Sequence, residues 1–290
     1  MSEPVGLGTT VELLDGRSVG FATFGDPDGT PVLWCHGGPG SRLEPAHLGP
    51  HATDAGLWLV GIDRPGYGMS TPNPGRTIAG WVPDALAVAD ELSIGRFVAI
   101  GESTGGAYAL ALAALVPDRL LGVVACCAMT DMRWAPARAA MSRAHCHAVW
   151  DAPDRESAVT AAVAAHGEQG SKMLLGGMNE ALAPSDAALF RDPEWMTQAM
   201  TAFPAMFTHG LEGYADDRRA DGGGWVEFDV SIITCPVTVL HGGADKMCDV
   251  LNARHTAELV PHARLDIYDQ LGHFSILTKV IPTITVLLTH

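Results

Sequence analysis

Short, continuous apolar runs that end in glycine-rich turns constrain the fold of this chain more than any other feature of its sequence. The runs at 31–35, 57–62 and 97–100 each lead directly into a turn that contains at least two glycines. Strands this apolar are buried on both faces, which is typical of a parallel sheet covered by helices. Helical periodicity at 78–92 and 105–115 lies between and after these runs, and the alternation predicts a doubly wound α/β sheet.

The two ends of the chain extend this pattern. Residues 9–14 and 18–24 alternate with a two-residue period and are joined by an Asp-Gly turn, which predicts an opening β-hairpin. Further strands are expected at 120–128, 235–240 and 263–268, and a closing helix from Ile276 onwards.

The middle of the chain lacks the short apolar runs that are typical of strands. Residues 129–230 are rich in Ala, Met and Trp, and they predict several helices interrupted at prolines. Because strands flank this stretch on both sides, we expect one α/β core made of residues 1–128 and 231–290, with 129–230 inserted as a helical cap. The expected interruptions are at Pro136, Pro153, Pro184, Pro193 and Pro204.

The charge of the chain narrows its possible partners. The 290 residues include 33 acidic and 18 basic side chains, for a formal net charge of −15. Such a surface repels phosphate backbones and anionic lipids. No apolar run approaches the ~20 residues that a membrane-spanning helix needs. We therefore expect a small-molecule substrate, and neither nucleic acid nor membrane as a partner.

The cysteines and the first residues of the chain indicate the cellular compartment of the protein. No two cysteines have the C-x-x-C spacing, and no His/Cys spacing resembles a zinc site, so we expect no metal. Most of the cysteines lie in or beside apolar runs, as small buried side chains in a reducing compartment do. The opening Met-Ser-Glu-Pro has neither a basic nor an apolar signal region. These observations predict a cytoplasmic protein.

The pentapeptide Gly101-Glu-Ser-Thr-Gly105 is the strongest candidate for chemistry. It follows an apolar strand and opens a helix, so Ser103 would lie at the tip of a sharp turn with its hydroxyl exposed above the sheet. The N-terminus of that helix favours negative charge developing at the site. The alternative, in which Ser103 is only a helix cap, is weaker given the strand and helix around the pentapeptide.

A serine nucleophile needs a base, and the base needs a carboxylate to orient it. Asp245 and His273 each follow a predicted strand, so both are expected at the carboxyl ends of strands, on the same edge of the sheet as Ser103. The sequence therefore predicts a triad of Ser103, His273 and Asp245. Asp131 also follows an apolar strand and remains the alternative acid.

Five stretches, taken together and in this order, resemble the α/β-hydrolase superfamily over essentially the whole chain. The resemblance implies an α/β-hydrolase fold with a helical lid, and it assigns Ser103 as nucleophile, His273 as general base and then acid, and Asp245 as its partner. No metal or organic cofactor is implied. The stretches are His36-Gly-Gly-Pro-Gly40, Asp63-Arg-Pro-Gly-Tyr-Gly-Met-Ser70, Gly101-Glu-Ser-Thr-Gly105, His241-Gly-Gly-Ala-Asp245 and Gly272-His273.

The resemblance also implies an oxyanion hole formed by two backbone N–H groups. One is carried over to Gly38, in the turn after the third strand, and the other to Thr104, which follows the nucleophile. Glycine suits position 38, where the backbone must approach the substrate closely. His36 is then expected to hold the loop rather than to take part in catalysis.

The function expected from this resemblance is hydrolysis of a carboxylic ester or lactone of a small, largely apolar molecule through an acyl-enzyme. Serine at position 103 is inconsistent with dehalogenases and epoxide hydrolases, which need Asp there. The His-Gly-Gly-Pro-Gly stretch resembles proline iminopeptidases, whose elbow usually carries Trp where this chain has Thr104. An iminopeptidase and a carbon–carbon bond hydrolase remain alternatives, as does a non-catalytic receptor or inactive homologue on the same fold.

Overall fold

The computed structural model describes residues 8–141, 143–174 and 182–289, with the backbone alone at 173 and 174. The strands form one sheet in the order β1-β2-β4-β3-β5-β6-β7-β8. The pairs β1–β2 and β2–β4 are antiparallel, and all other neighbours are parallel. The strands are β1 (Thr9–Glu12), β2 (Ser18–Gly25), β3 (Thr30–Cys35), β4 (Leu57–Ile62), β5 (Phe97–Glu102), β6 (Leu120–Cys126), β7 (Val237–Gly242) and β8 (Arg264–Tyr268).

Each strand expected from the sequence is present, and the fold class is confirmed as α/β with a mostly parallel sheet. The ends of several strands differ from the prediction. Strand β6 was expected to continue to residue 128 but ends at Cys126, because Cys127 has a φ of +41° and leaves the extended conformation. Strand β5 continues through Glu102, directly up to the candidate nucleophile.

Helices connect the strands and cover the sheet. The predicted helix over 78–92 is a 3-10 turn, Ala79–Trp81, followed by α2, and the closing segment is a 3-10 turn, Ser275–Lys279, followed by α12. The α-helices are α1 (Gly49–Asp54), α2 (Val82–Glu91), α3 (Gly105–Leu115), α4 (Ala135–Ala140), α5 (Ala144–Trp150), α6 (Arg155–His166), α7 (Ser171–Leu174), α8 (Pro184–Leu189), α9 (Pro193–Met206), α10 (Glu212–Gly222), α11 (Leu251–Leu259) and α12 (Val280–Leu287).

Both faces of the sheet are buried, because alternate residues of each strand enter different cores. Leu33 and Cys35 of β3 lie in a core that also contains residues of α2 and α3. Val32 and Trp34 lie in a second core that contains residues of α1 and α12. This arrangement explains why the strands are apolar without interruption.

Between β6 and β7 the described residues form helices α4 to α10 and the loops that connect them, with no strand among them. Residues 142 and 175–181 of the expected cap lie outside the described residues. Pro184 and Pro193 stand at helix starts, where a missing N–H costs nothing. The break expected at Pro204 is wrong: this proline lies inside α9, which ends two residues later, so few hydrogen bonds are affected.

No helix in the described ranges combines the length and the apolarity that crossing a bilayer requires.

Candidate active site

Ser103 occupies a tight turn between β5 and α3. Its φ of +51° lies in the left-handed region, which is strained for a residue other than glycine. Hydrogen bonds hold the turn: the amide of Ser103 donates to the Cys126 carbonyl at 2.9 Å, and the amide of Gly106 donates to the Ser103 carbonyl at 3.1 Å. A Cβ at Gly105 would collide with the Cys35 carbonyl, so the turn closes only with glycine there.

His273 and Asp245 form the charged pair of the site. His273 Nδ1 lies 2.7 Å from Asp245 Oδ2, and the Asp245 carboxylate also accepts from the amides of Met247 and Cys248 at 2.7 and 2.9 Å. Burial by itself would lower the pKa of His273, but the Asp245 carboxylate outweighs it and raises that pKa well above its usual value. For Asp245, burial opposes ionisation, and the charge of His273 nevertheless lowers the pKa of the carboxyl.

Ser103 and His273 line the same cavity, whose volume is about 470 Å³. No direct hydrogen bond joins Ser103 to His273 here. Catalytic hydrogen bonds are often loose without substrate and tighten in the complex. With Nδ1 donating to Asp245, the Nε2 atom of His273 is the nitrogen left to accept a proton.

Asp131, the alternative acid, lies elsewhere. Its carboxylate accepts from the Arg133 side chain at 3.0 Å and from the Trp225 amide at 3.4 Å, with no hydrogen bond to His273. The geometry thus joins Asp245, and not Asp131, to the histidine.

Gly38 lines the cavity, and Thr104 lies next to it. A Cβ on Gly38 would lie 2.7 Å from Thr104 Oγ1, so a larger residue would not fit. Within the described ranges, the amides of Gly38 and Thr104 donate to no protein acceptor, whereas the amide of Gly37 donates to Glu44 at 3.0 Å. The two amides assigned to the oxyanion hole therefore retain free donor capacity.

His36 stabilises this loop through both ring nitrogens. Nδ1 lies 2.7 Å from the Gly37 carbonyl, and Nε2 accepts from the Arg64 amide at 3.1 Å. Burial lowers the pKa of His36 well below its usual value, so the ring is neutral. The Arg64 guanidinium donates to the carbonyls of His36 and Gly37 at 2.5 and 2.8 Å. The positions agree with a structural role for His36.

Asp217 of α10, which the sequence did not single out, connects the helical segment to this loop. Its buried carboxylate accepts from Arg64, Arg76, Tyr67 and Tyr108 at 2.6–3.1 Å. Burial alone would raise the pKa of Asp217, but the two guanidinium groups outweigh it and lower that pKa. In the sequence, Asp216–Arg219 has the composition of a solvent-exposed helix face, so no local signal marked it.

Asp186 of α8, also missed, positions the histidine loop. Its buried carboxylate accepts from the amides of His273, Phe274 and Ser275 at 2.9, 3.1 and 2.8 Å. A Cβ on Gly272 would collide with this carboxylate, which explains the glycine before the histidine. A residue of the helical segment thus fixes the backbone that carries His273.

One buried cluster contains potential metal ligands, although the sequence predicted no metal. Glu102, Cys127 and His273 offer ligand atoms within 4.8 Å of one another. Burial, followed by the nearby Glu44 carboxyl, raises the pKa of Glu102 well above its usual value, which favours the protonated form of Glu102. Burial likewise raises the pKa of the Cys127 thiol. Because metal binding needs these ligands deprotonated and His273 already bonds Asp245, the arrangement favours a hydrolytic site.

Comparison with known proteins agrees with this geometry. A family model for the alpha/beta hydrolase fold matches residues 30–280. The chain is 28% identical over 271 residues to a proline iminopeptidase of Neisseria gonorrhoeae, covering 86% of this chain and 84% of that protein. It is 26% identical over 264 residues to a 2-hydroxymuconate semialdehyde hydrolase of Pseudomonas putida, covering 86% and 82%.

Solved structures show the same fold. An esterase from Exiguobacterium antarcticum superposes with a TM-score of 0.73 at 20% identity, covering 98% of this chain and all of that one. With the matched family model, the mostly parallel sheet and the turn at Ser103, this places the chain in the α/β-hydrolase fold family.

Proposed function

We propose that this protein is a serine hydrolase that cleaves a carboxylic ester or lactone of a small, largely apolar molecule through an acyl-enzyme. The observation that carries the proposal is the buried Asp245–His273 pair, 2.7 Å apart, in the same cavity as a strained serine at a strand-to-helix turn. An ionised carboxylate beside a histidine is the arrangement that activates a serine.

In the acylation step, Ser103 Oγ attacks the carbonyl carbon while Nε2 of His273 takes the hydroxyl proton. The negative charge moves to the carbonyl oxygen, which the free amides of Gly38 and Thr104 stabilise. Removal of one such donor typically costs about 3 kcal/mol of transition-state stabilisation. His273 then gives its proton to the departing alcohol oxygen, and Asp245 stabilises the imidazolium between these steps.

Deacylation repeats the sequence with water in place of the serine. His273 removes a proton from the water, which attacks the acyl carbon, and then returns the proton to Ser103 Oγ as the acid leaves. In a lactone the alcohol and acid are parts of one molecule, so the product is a single hydroxy acid.

The lining of the cavity supports an apolar substrate body. Aromatic and methionine side chains from α9 and its surroundings form much of its wall, and methionine adapts to irregular ligand shapes. We propose that the segment 129–230 acts as the cap over the site, because it supplies most of this wall. The apolar lining includes Met129, Met141, Phe190, Trp195, Met196, Met200, Phe203 and Met206.

The six cysteines are unpaired and five are buried, which supports the proposed cytoplasmic, reducing environment.

Two relatives keep alternative reactions open on the same triad. The chain is similar to a proline iminopeptidase and to a 2-hydroxymuconate semialdehyde hydrolase, so the iminopeptidase and the carbon–carbon bond hydrolase remain the alternatives. We favour the ester or lactone because Thr104 departs from the Trp of the iminopeptidase elbow. A substrate panel that contains p-nitrophenyl esters, lactones and prolyl anilides distinguishes the reactions.

A fluorophosphonate probe tests the nucleophile without any knowledge of the substrate, because it reacts only with an activated serine. We expect one stoichiometric adduct, located at Ser103 by peptide mass spectrometry. The adduct should be absent in Ser103→Ala, strongly slowed in His273→Ala and unchanged in Asp131→Asn. Failure to label Ser103 under conditions that label a control esterase would overturn the proposal and favour the receptor or inactive homologue.

A further inference from the structure

One end of the cavity is lined by basic side chains that the proposed mechanism does not use. Arg143, His145, His166 and Arg218 all line the cavity that contains Ser103, and we call these four residues the basic wall. They come from α5 with the residue before it, from α6 and from α10, so the helical segment provides the whole wall. A concentration of cationic and donor groups in one part of a largely apolar cavity needs an explanation.

The two arginines carry more positive charge than the surrounding carboxylates neutralise. Arg218 pairs with Asp221 at 2.5 Å, and because burial raises the pKa of that aspartate only to about 6, it is mostly ionised at neutral pH and compensates one of the two arginines. The buried Nε of Arg218 has no hydrogen-bond partner. The half-buried Arg143 forms no ion pair with any residue in the described ranges.

The two histidines add neutral donors. Their rings pack edge to face with centroids 4.7 Å apart, and His166 Nε2 is buried without a partner. Burial, reinforced by the charge of Arg143, lowers the pKa of His145 to about 3 and that of His166 to about 4. Both rings are therefore neutral at physiological pH, and each can donate one N–H to a ligand.

The acidic side chains of the cavity do not neutralise the wall. Glu44 and Glu102 line the cavity, and burial raises the pKa of both carboxyls, which disfavours their charged forms. Glu44 already accepts from Trp34 Nε1 at 2.7 Å and from the Gly37 amide at 3.0 Å. Among the described residues Arg143 thus has no carboxylate partner, and this end of the cavity disfavours a substrate ammonium and favours an anion.

We infer that the basic wall is a subsite for a carboxylate on the substrate, so that the preferred substrate is an ester or lactone that carries a free carboxylate. The inference rests on the proposed hydrolase function. A planar guanidinium binds a carboxylate through two parallel hydrogen bonds, and Arg143 has that capacity free.

The position of Arg218 limits the distance between the carboxylate and the scissile carbonyl. Its Nη2 contacts Thr104 Oγ1 and would lie 3.1 Å from a Cβ on Gly38, so the guanidinium borders the oxyanion hole. A carboxylate bound near it lies only a few bonds from the reacting carbonyl. Half-esters of short dicarboxylic acids have this spacing.

The test compares two activated esters of similar length, mono-p-nitrophenyl succinate, which is anionic, and p-nitrophenyl valerate, which is neutral. We expect the wild type to prefer the anionic ester. In Arg143→Gln the ratio of the two kcat/KM values should fall roughly 10–100-fold, as expected for loss of a hydrogen bond to a charged group. Arg143→Lys should retain part of the preference, because it keeps the charge.

Arg133→Gln is the matched control, since it removes the same charge from an exposed arginine outside the cavity lining. It should leave the ratio within about twofold of the wild-type value, as for an exposed ion pair. A folded Arg143→Gln protein with an unchanged ratio overturns the inference. A loss of kcat on both esters in Arg218→Met, with the ratio unchanged, assigns Arg218 to oxyanion stabilisation instead.

Binding of succinate to Ser103→Ala, measured by calorimetry, separates this inference from the proposed function. If the wild type hydrolyses neither ester but succinate binds and Arg143→Gln weakens binding, the subsite stands and the hydrolase proposal fails. If esters are cleaved without preference and succinate does not bind, the hydrolase stands and the subsite is disproved.

Discussion

The sheet and helix α10 are buried to a similar degree, but the sheet buries apolar side chains and α10 buries charged ones. In β5, Val98, Ala99 and Ile100 are fully enclosed by other apolar groups. In α10, Asp217 and Arg218 are equally enclosed, and ion pairs and hydrogen bonds compensate their charges. The stabilisation from burying apolar side chains is non-directional, so it tolerates small changes in packing. The stability of a buried charge instead depends on each of its ion-pair and hydrogen-bond partners.

The difference separates what each region does. The sheet carries Ser103, His273 and Asp245, the proposed nucleophile, base and acid, at its strand ends, while the helical segment holds the loops that present them. Asp217 is connected through Arg64 to the loop that contains His36 and Gly37, and Asp186 accepts a hydrogen bond from the amide of His273. Substitutions in the sheet and in the helical segment should therefore affect different properties of the protein, and by different amounts.

The largest expected effect is on catalysis, from Asp245→Asn at the end of the sheet. We expect kcat/KM to fall by about 10⁴-fold with the fold intact, because the imidazolium loses its counter-charge and the ring its orienting acceptor. The measurement is steady-state kinetics on an activated ester, with circular dichroism to confirm folding. A loss of less than about tenfold would assign the acid to another residue.

The pH dependence of kcat/KM tests the same pairing of Asp245 with His273. His273 must be neutral to accept the serine proton, and Asp245 raises its pKa. The acid limb of kcat/KM should therefore lie above the usual pKa of histidine in the wild type, and it should move to lower pH in Asp245→Asn. A limb that moves upward would contradict the pairing.

The next largest effect is expected on stability, from Asp217→Asn in α10. Loss of the charge leaves Arg64 and Arg76 buried with incomplete compensation, which should cost about 3–5 kcal/mol of unfolding free energy. Urea titration measures this, with Asp28→Asn, an exposed carboxylate, as the control. A cost equal to that of the control would mean that the cluster contributes no stability.

In the sheet, Ile100→Val should have a smaller effect. It removes one buried methylene, so we expect a loss of about 0.5–1.5 kcal/mol. Leu14→Ala, at a fully exposed side chain, should leave the urea midpoint unchanged and serves as the control. If Ile100→Val costs more than Asp217→Asn, the contrast between the regions is wrong.

The smallest effect should come from Asp131→Asn, which changes the alternative acid. Its partner Arg133 is largely exposed, and such pairs contribute at most about 1 kcal/mol. Hydrolysis should stay at the wild-type rate. A large loss of kcat here, together with an active Asp245→Asn, would reverse the assignment of the acid.

The sequence predicted the strands and the chemistry at their ends from short-range patterns. Each apolar run and each glycine turn depends on residues close in sequence, so Ser103, Asp245 and His273 could be proposed from it. Asp186 could not, because it lies 87 positions from His273 and stands in no recognisable pattern. The same holds for Asp217, whose neighbours in sequence resemble a solvated helix face.

The sequence by itself determined the α/β class, the parallel core and the candidate triad, because apolar periodicity and tight-turn chemistry are local properties. Tertiary structure alone decided that Asp245, rather than Asp131, contacts His273. It alone also brought Arg143, His145, His166 and Arg218 to one cavity, since these contacts join helices whose relative positions depend on packing. Charges buried in pairs follow no sequence period, so their partners become visible only once the chain is folded.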